Sequence, residues 1–208
     1  MASQGFWLFA DGSLGPTVFV LVKENQSDVL LSFKEDNFRA ASSKTPEAFS
    51  KVSQYFKEKD LDLSELSLVL GFGPGSLTSI KVFLTSALTF SKIHKLDFFK
   101  CNSLLIWSYL FQKEAQSHEI LSYAGRSEYF VYDHRRTYLI KETELNKLSS
   151  PVLIESSKMK ARDVKVEKFN PDNIDFSSFD PKYLLNHCEK SHFGDLRINY
   201  FKGFDQLY

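Results

Sequence analysis

The chain has little cysteine, methionine and proline, and no surplus of charge. Only Cys101 and Cys188 occur in 208 residues, far apart and outside any C-x-x-C pattern. That excludes a disulfide-stapled scaffold and a cysteine-rich zinc site, and the two read as ordinary reduced thiols of a cytosolic protein. Basic and acidic residues balance at 26 each, so a protein that grips nucleic acid alone by neutralising phosphates is excluded. No apolar run approaches the ~20 residues of a membrane-spanning helix. Met1 to Gly5 carry no basic residue and the apolar run after them breaks at Asp11, which predicts no secretory leader and a cytoplasmic location. There is no H-x-x-x-H pair, and no glycine-spaced Lys-Ser/Thr of a Walker loop.

What the chain does have is apolar bulk. Hydrophobic residues make up 43% and aromatics 15%, with 20 phenylalanines, enough to fill a core for one domain or two closely packed halves. Phe6 to Ala10, Thr17 to Lys23 and Asp28 to Lys34 read as an antiparallel meander. Thr45-Pro46-Glu47 predicts a helix start, with Thr45 as N-cap, and Ala48, Phe49, Val52, Tyr55 and Phe56 follow at helical spacing. A buried strand over Leu66 to Phe72, a helix from Ser76 to about Lys92, a short strand at Asp97 to Lys100 and a helix over Ser103 to Gln112 complete a βββαβαβα half, an α/β arrangement. Further strands are expected at Ile120 to Tyr123, Glu128 to Asp133, Thr137 to Ile140 and Val152 to Ile154, then loop from Lys158 to Phe179, a helix from Pro181 to about Lys190, and an extended tail at Ile198 to Phe201. The chain thus reads as a first half over residues 1–115 and a second over 116–208, with the tail expected to pack back on the first.

The segment Gly71-Phe72-Gly73-Pro74-Gly75-Ser76 joins a strand to a helix. Ser76 is the expected N-cap, and the N–H groups there could hold an anion or simply close a tight joint. Thr78 stands where a dinucleotide fingerprint needs its third glycine. On the following helix, Leu77, Ile80, Leu84, Ala87, Leu88 and Ser91 share one face, while Val82, Phe83, Ser86, Phe90 and Ile93 form an adjoining one. Only Thr78, Lys81, Thr85, Thr89 and Lys92 make a polar stripe. The apolar arc exceeds the ~100° of one-sided burial. The second face needs cover from a neighbouring helix of this chain or from another subunit.

Gly73 to Val82 resembles the G-P-G-S-F-T-G-[LV]-R-[IV] signature of the TsaB (YeaZ-type) family of bacterial tRNA threonylcarbamoyladenosine biosynthesis proteins, with Ser79 for the usual glycine and Lys81 for the usual arginine. The flanks are similar too. Asp60 to Leu66 resembles the family's loop before the strand, and Leu96 to Phe99 with Cys101-Asn102-Ser103-Leu104 its short strand and helix start. Leu8 to Ser13 resembles the opening I-D-T-S strand, Ala124 to Phe130 a worn D-A-R-x-G-E-V-Y hairpin, and Asn199 to Lys202 the terminal Y-L-R. Ala40 to Lys44 replaces the family's H-S-E segment, and Tyr123 and Gly125 replace its hairpin Asp and Arg. The resemblance implies a divergent member with an actin-like/Hsp70-like, ribonuclease H-like fold of two lobes. It implies no catalytic residue and no cofactor of its own. The chain would be a scaffold that activates a TsaD-type catalytic subunit modifying adenosine at position 37 of tRNA, joined by a TsaE-type ATPase, with ATP bound by the assembled complex.

In that family the two helices of the first lobe form the pairing surface, which makes Phe49, Val52, Phe56, Ser79, Phe83, Ser86 and Phe90 the expected interface. A charge at Phe83 is then expected to abolish pairing and spare the fold, and the same face would serve a homodimer. Gly73, Pro74, Gly75, Ser76 and Thr78 form the signature loop. Asp11 and Ser13 are the nucleotide-proximal candidates of the alternative, an actin-like ATPase or phosphotransferase in which Asp11 positions a metal-bound water. A third reading is an interaction module without a tRNA role. His187, Cys188 and His192 lack the spacing of a metal site, so no metal is expected. The clusters His134-Arg135-Arg136 and Lys158, Lys160, Arg162 and Lys165 read as solvated surface, or as tRNA contacts made only within the complex.

Overall fold

The computed structural model describes residues 5–14, 17–24, 29–35, 41–111, 118–154, 164–170, 174, 176, 179 and 181–192. The expected tail at Ile198 to Phe201 and the basic residues Lys158, Lys160 and Arg162 lie outside them.

Alternating or continuous apolar runs form strands β1 (Phe6–Asp11), β2 (Thr17–Lys23) and β3 (Val29–Glu35), paired antiparallel in a meander. Helix α1 (Ala41–Glu58) follows, then β4 (Leu66–Gly71), α2 (Leu77–His94), β5 (Phe98–Cys101) and α3 (Ser103–Phe111). Strands β4 and β5 join β1 in parallel, as helical crossovers require. A second set comprises β6 (Glu119–Gly125), β7 (Glu128–Tyr132), β8 (Thr137–Lys141), β9 (Pro151–Ile154) and β10 (Glu167–Phe169). Helix α4 (Pro181–Leu185) and β11 (Glu189–Ser191) end the described chain.

The strand orders reveal an internal likeness with no counterpart in sequence repeats. The first sheet runs β11-β5-β4-β1-β2-β3 and the second β10-β9-β6-β7-β8. Each is an antiparallel trio extended by two parallel strands on the same side of its first strand. Strand β11 returns to the first sheet, antiparallel to β5.

Three cores follow from side-chain alternation. Phe6, Leu8 and Ala10 of β1 and Leu66, Leu68 and Leu70 of β4 pack under α1 and α2. On the opposite face Phe9 and Val69 meet α3 and the inner side of the second sheet, including Ile120, Phe130 and Ile154. Leu121, Tyr129, Val131, Leu145 and Leu153 form the third on the outer side of that sheet. The first sheet is therefore covered on both faces, which explains the unbroken apolar reading of β1 and β4.

Four expectations need correction. Helix α1 begins at Ala41, a turn before Thr45, and carries Pro46 inside it. Thr45 is buried rather than capping. The proline removes a single intrahelical bond near the helix start, where the loss is best tolerated. Helix α4 stops at Leu185, and β10 and β11 form where loop and helix were expected. These two strands are three residues long and owe their form to edge pairing, not local pattern. Of the two covers weighed for the doubly apolar α2, the structure supplies this chain's own α1, whose Phe49 ring lies 5.0 Å from Phe90 and 6.5 Å from Phe83.

Phe83 is 1% exposed, so a charge there would be buried without a partner. Phe83→Asp is expected to abolish the cooperative thermal transition. A variant melting like the parent protein would show that the ring does not sit in the core.

Candidate functional site

Two features stand out: the knot around Asp11 and the outer seam of α1 and α2. Asp11 ends β1 and is fully buried. Its Oδ1 accepts hydrogen bonds from Ser13 N at 2.9 Å, Ser13 Oγ at 2.8 Å and Trp107 Nε1 at 2.8 Å. Its Oδ2 is buried, with no hydrogen-bond partner among the described residues. A Cβ on Gly71 would stand 1.7 Å from that oxygen, so only glycine fits where β4 passes the carboxylate.

The signature loop closes against the same turn. Ser76 N donates to Ser13 O at 2.9 Å, and a Cβ on Gly75 would lie 2.3 Å from that oxygen. Phe72 N donates to Cys101 O at 3.0 Å, and Gly73 N to Ser103 Oγ at 2.9 Å. Ser103 N donates back to Gly73 O at 2.9 Å. The Gly73–Pro74 peptide is cis. Ser76 caps α2 as the sequence predicts, accepting from Ser79 N at 3.5 Å. These loop N–H groups are taken up inside the chain, which makes the tight joint, rather than an anion cradle, the better reading of Gly73, Pro74, Gly75 and Ser76. Thr78 points to solvent. Ser13, like Asp11, is buried.

The helix seam differs from expectation in which residues it presents. Phe49, Val52, Phe56, Phe83 and Phe90 are all buried inside the first lobe, so they cannot be surface anchors. Their helical spacing signalled burial correctly, but α1 and the sheet provide it. Ser79 and Ser86 remain half-buried on α2, the latter donating to Val82 O at 3.1 Å. Outside these residues lies a groove of about 400 Å³, lined by Pro46, Ser50 and Ser53 of α1 and Thr85, Thr89 and Ile93 of α2, with Phe49 and Phe90 reaching its wall. Ile93 is 68% exposed, and among the described residues it stands out as the large hydrophobic side chain left uncovered. Its place on the second apolar face of α2 was the sequence signal for it. Trp107 had no such signal, since its partner Asp11 lies 96 positions away.

Among the described residues no group of three or more His, Cys, Asp or Glu side chains could hold a metal. His187 and His192 are exposed and lie beyond the end of α4. No described helix is long and apolar enough to cross a membrane.

Two sheets of matching strand order, packed through a shared helix, define an α/β protein of the actin-like, ribonuclease H-like class. Comparison with solved structures agrees. A Pseudomonas aeruginosa protein described as similar to the peptidase YeaZ superposes with a TM-score of 0.58 at 12% identity, covering 80% of this chain and 84% of that one. YeaZ from Pseudomonas aeruginosa superposes with a TM-score of 0.55 at 15% identity and the same coverage. No family model and no curated protein matches the sequence. The fold is thus YeaZ-like.

Trp107→Phe keeps an aromatic ring and deletes the Nε1 donor to a carboxylate. The expected cost is about 1.5–3 kcal/mol in denaturant unfolding. Gly71→Ala, which drives a methyl group into the same carboxylate, is expected to lower the unfolding midpoint further. Unchanged midpoints in both would show that the Asp11 knot does not hold the fold.

Proposed function

We propose that this chain is a non-catalytic scaffold that docks a TsaD-type catalytic subunit in the threonylcarbamoyl modification of tRNA adenosine 37. The observation that carries this reading is the exposed Ile93 beside the small-residue groove of α1 and α2. The YeaZ-like fold supports it. Serine and threonine at the seam let a partner helix approach closely, and Ile93 offers it one apolar anchor. The buried phenylalanines behind them set the spacing of the two helices and touch the partner only at the groove wall. Without the catalytic subunit the same seam would pair two copies of this chain. A TsaE-type ATPase joins the assembled pair, ATP belongs to that assembly, and tRNA is reached through the complex, where the exposed Arg135 and Arg136 are available to phosphates.

A second reading, an actin-like ATPase or phosphotransferase acting through Asp11, is favoured by the unpartnered Oδ2. Against it stand the full burial of Asp11 and the three donors that already engage Oδ1. ATP turnover by the purified chain alone would favour that reading.

Ile93→Asp and Thr89→Arg alter exposed positions and should leave the melting temperature unchanged. Each is expected to weaken co-purification with the catalytic subunit by about tenfold or more, the scale of a central interface anchor. Full retention by both variants would refute the seam as the docking face. Depletion of the protein is expected to lower threonylcarbamoyladenosine in total tRNA, read by mass spectrometry of nucleosides. Unchanged levels would instead favour an interaction module with no part in tRNA modification.

A further inference from the structure

The two cysteines, 87 positions apart in sequence, meet in the fold. Strand β11 pairs antiparallel with β5 in the register Glu189 with Lys100, Lys190 with Phe99 and Ser191 with Phe98. One further step of that register sets Cys188 opposite Cys101, the last residue of β5. Directly opposed residues of an antiparallel pair have Cα atoms about 4.5–5.5 Å apart. That interval falls inside the roughly 4.4–6.8 Å that a disulfide spans. Both cysteines are free thiols, and Cys188 lies close enough to raise the pKa of the Cys101 thiol. The Cys188 thiol in turn donates to Leu184 O at 3.1 Å.

We propose that Cys101 and Cys188 form a reversible disulfide that latches the α4–β11 segment to the edge of the first sheet, with a small disulfide such as oxidised glutathione as the oxidant. Cys188 is half-buried and Cys101 is buried, so the oxidant meets Cys188 first. The Cys188 thiolate attacks one sulfur of the small disulfide. Its S–S bond breaks and one glutathione thiolate leaves. Cys101 then loses its proton and attacks the Cys188 sulfur, the mixed S–S bond breaks, and the second glutathione departs. Two protein thiols are oxidised to one disulfide while one small disulfide is reduced to two thiols. The neighbouring Cys188, and then burial, hold the Cys101 pKa well above the usual thiol range, which makes the second step the slow one.

The latch sits where it has mechanical effect. Strand β11 is three residues long, and its middle residue Lys190 pairs with Asp97 on an exposed surface, a weak hold. A covalent link at the near end closes the chain between β5 and β11 into a loop and restricts the unfolded state. It also lands on the residue whose carbonyl accepts from Phe72 of the glycine loop.

The test uses the full chain, equilibrated anaerobically with oxidised glutathione and examined by intact mass, thiol titration and thermal melting. The expected result is loss of both titratable thiols, a mass lower by about 2 Da with no adduct, a monomer on a non-reducing gel, and a melting temperature raised by about 5 °C or more that dithiothreitol reverses. Cys188→Ser and Cys188→Ala are each expected to abolish the mass change and the shift, leaving Cys101 unmodified. Two thiols surviving in the unaltered protein, a glutathione adduct persisting on Cys188, or a disulfide-linked dimer would overturn the proposal.

Discussion

The arrangement of the first lobe depends on one buried carboxylate. Asp11 closes β1 and gathers donors from the following turn and from α3 onto a single oxygen. Hydrogen bonds to a charged acceptor are worth about twice neutral ones, and burial makes their loss costly. Because Trp107 belongs to α3 and Gly71 to β4, the carboxylate sets the distance between the sheet and the helix that joins the two sheets. The signature loop then has little freedom, since Ser13 receives Ser76 on one side while Ser103 and Gly73 bond reciprocally on the other. A motif that reads as a ligand loop in sequence is here the joint of a frame.

That frame determines what α1 and α2 can offer. Starting α2 at Ser76 points one apolar face at the sheet, and α1 closes over the other through its phenylalanine contacts. Among the described residues of α1 and α2 little apolar surface remains outside, and it is concentrated at Ile93 and the groove beside it. This arrangement keeps the aromatic mass for internal stiffness and leaves a small-residue seam outside, which suits close helix approach more than a broad greasy patch would.

Local features were legible in the chain and long-range ones were not. The Ser76 cap, the polar stripe of α2, the opening meander and the hairpin strands all follow from near-neighbour chemistry, and the structure has them. The start of α1 was misread because a proline that suits a first turn is also tolerated a turn later. The phenylalanines were recognised as needing cover, but helical spacing cannot say whether a chain covers itself. Trp107 against Asp11, and Cys101 beside Cys188, depend on crossovers and on the return of an edge strand, and no local window contains both partners.

Strand β1 feeds two cores with alternate residues: Phe6, Leu8 and Ala10 to one side and Phe9 to the other. Exchanging one apolar residue for another preserves that alternation. Inserting or deleting a single residue swaps the two sets and carries Asp11 away from Trp107. Apolar exchanges within this strand therefore preserve the fold where a change of its length does not, and a chain 12–15% identical to the YeaZ structures shares their fold.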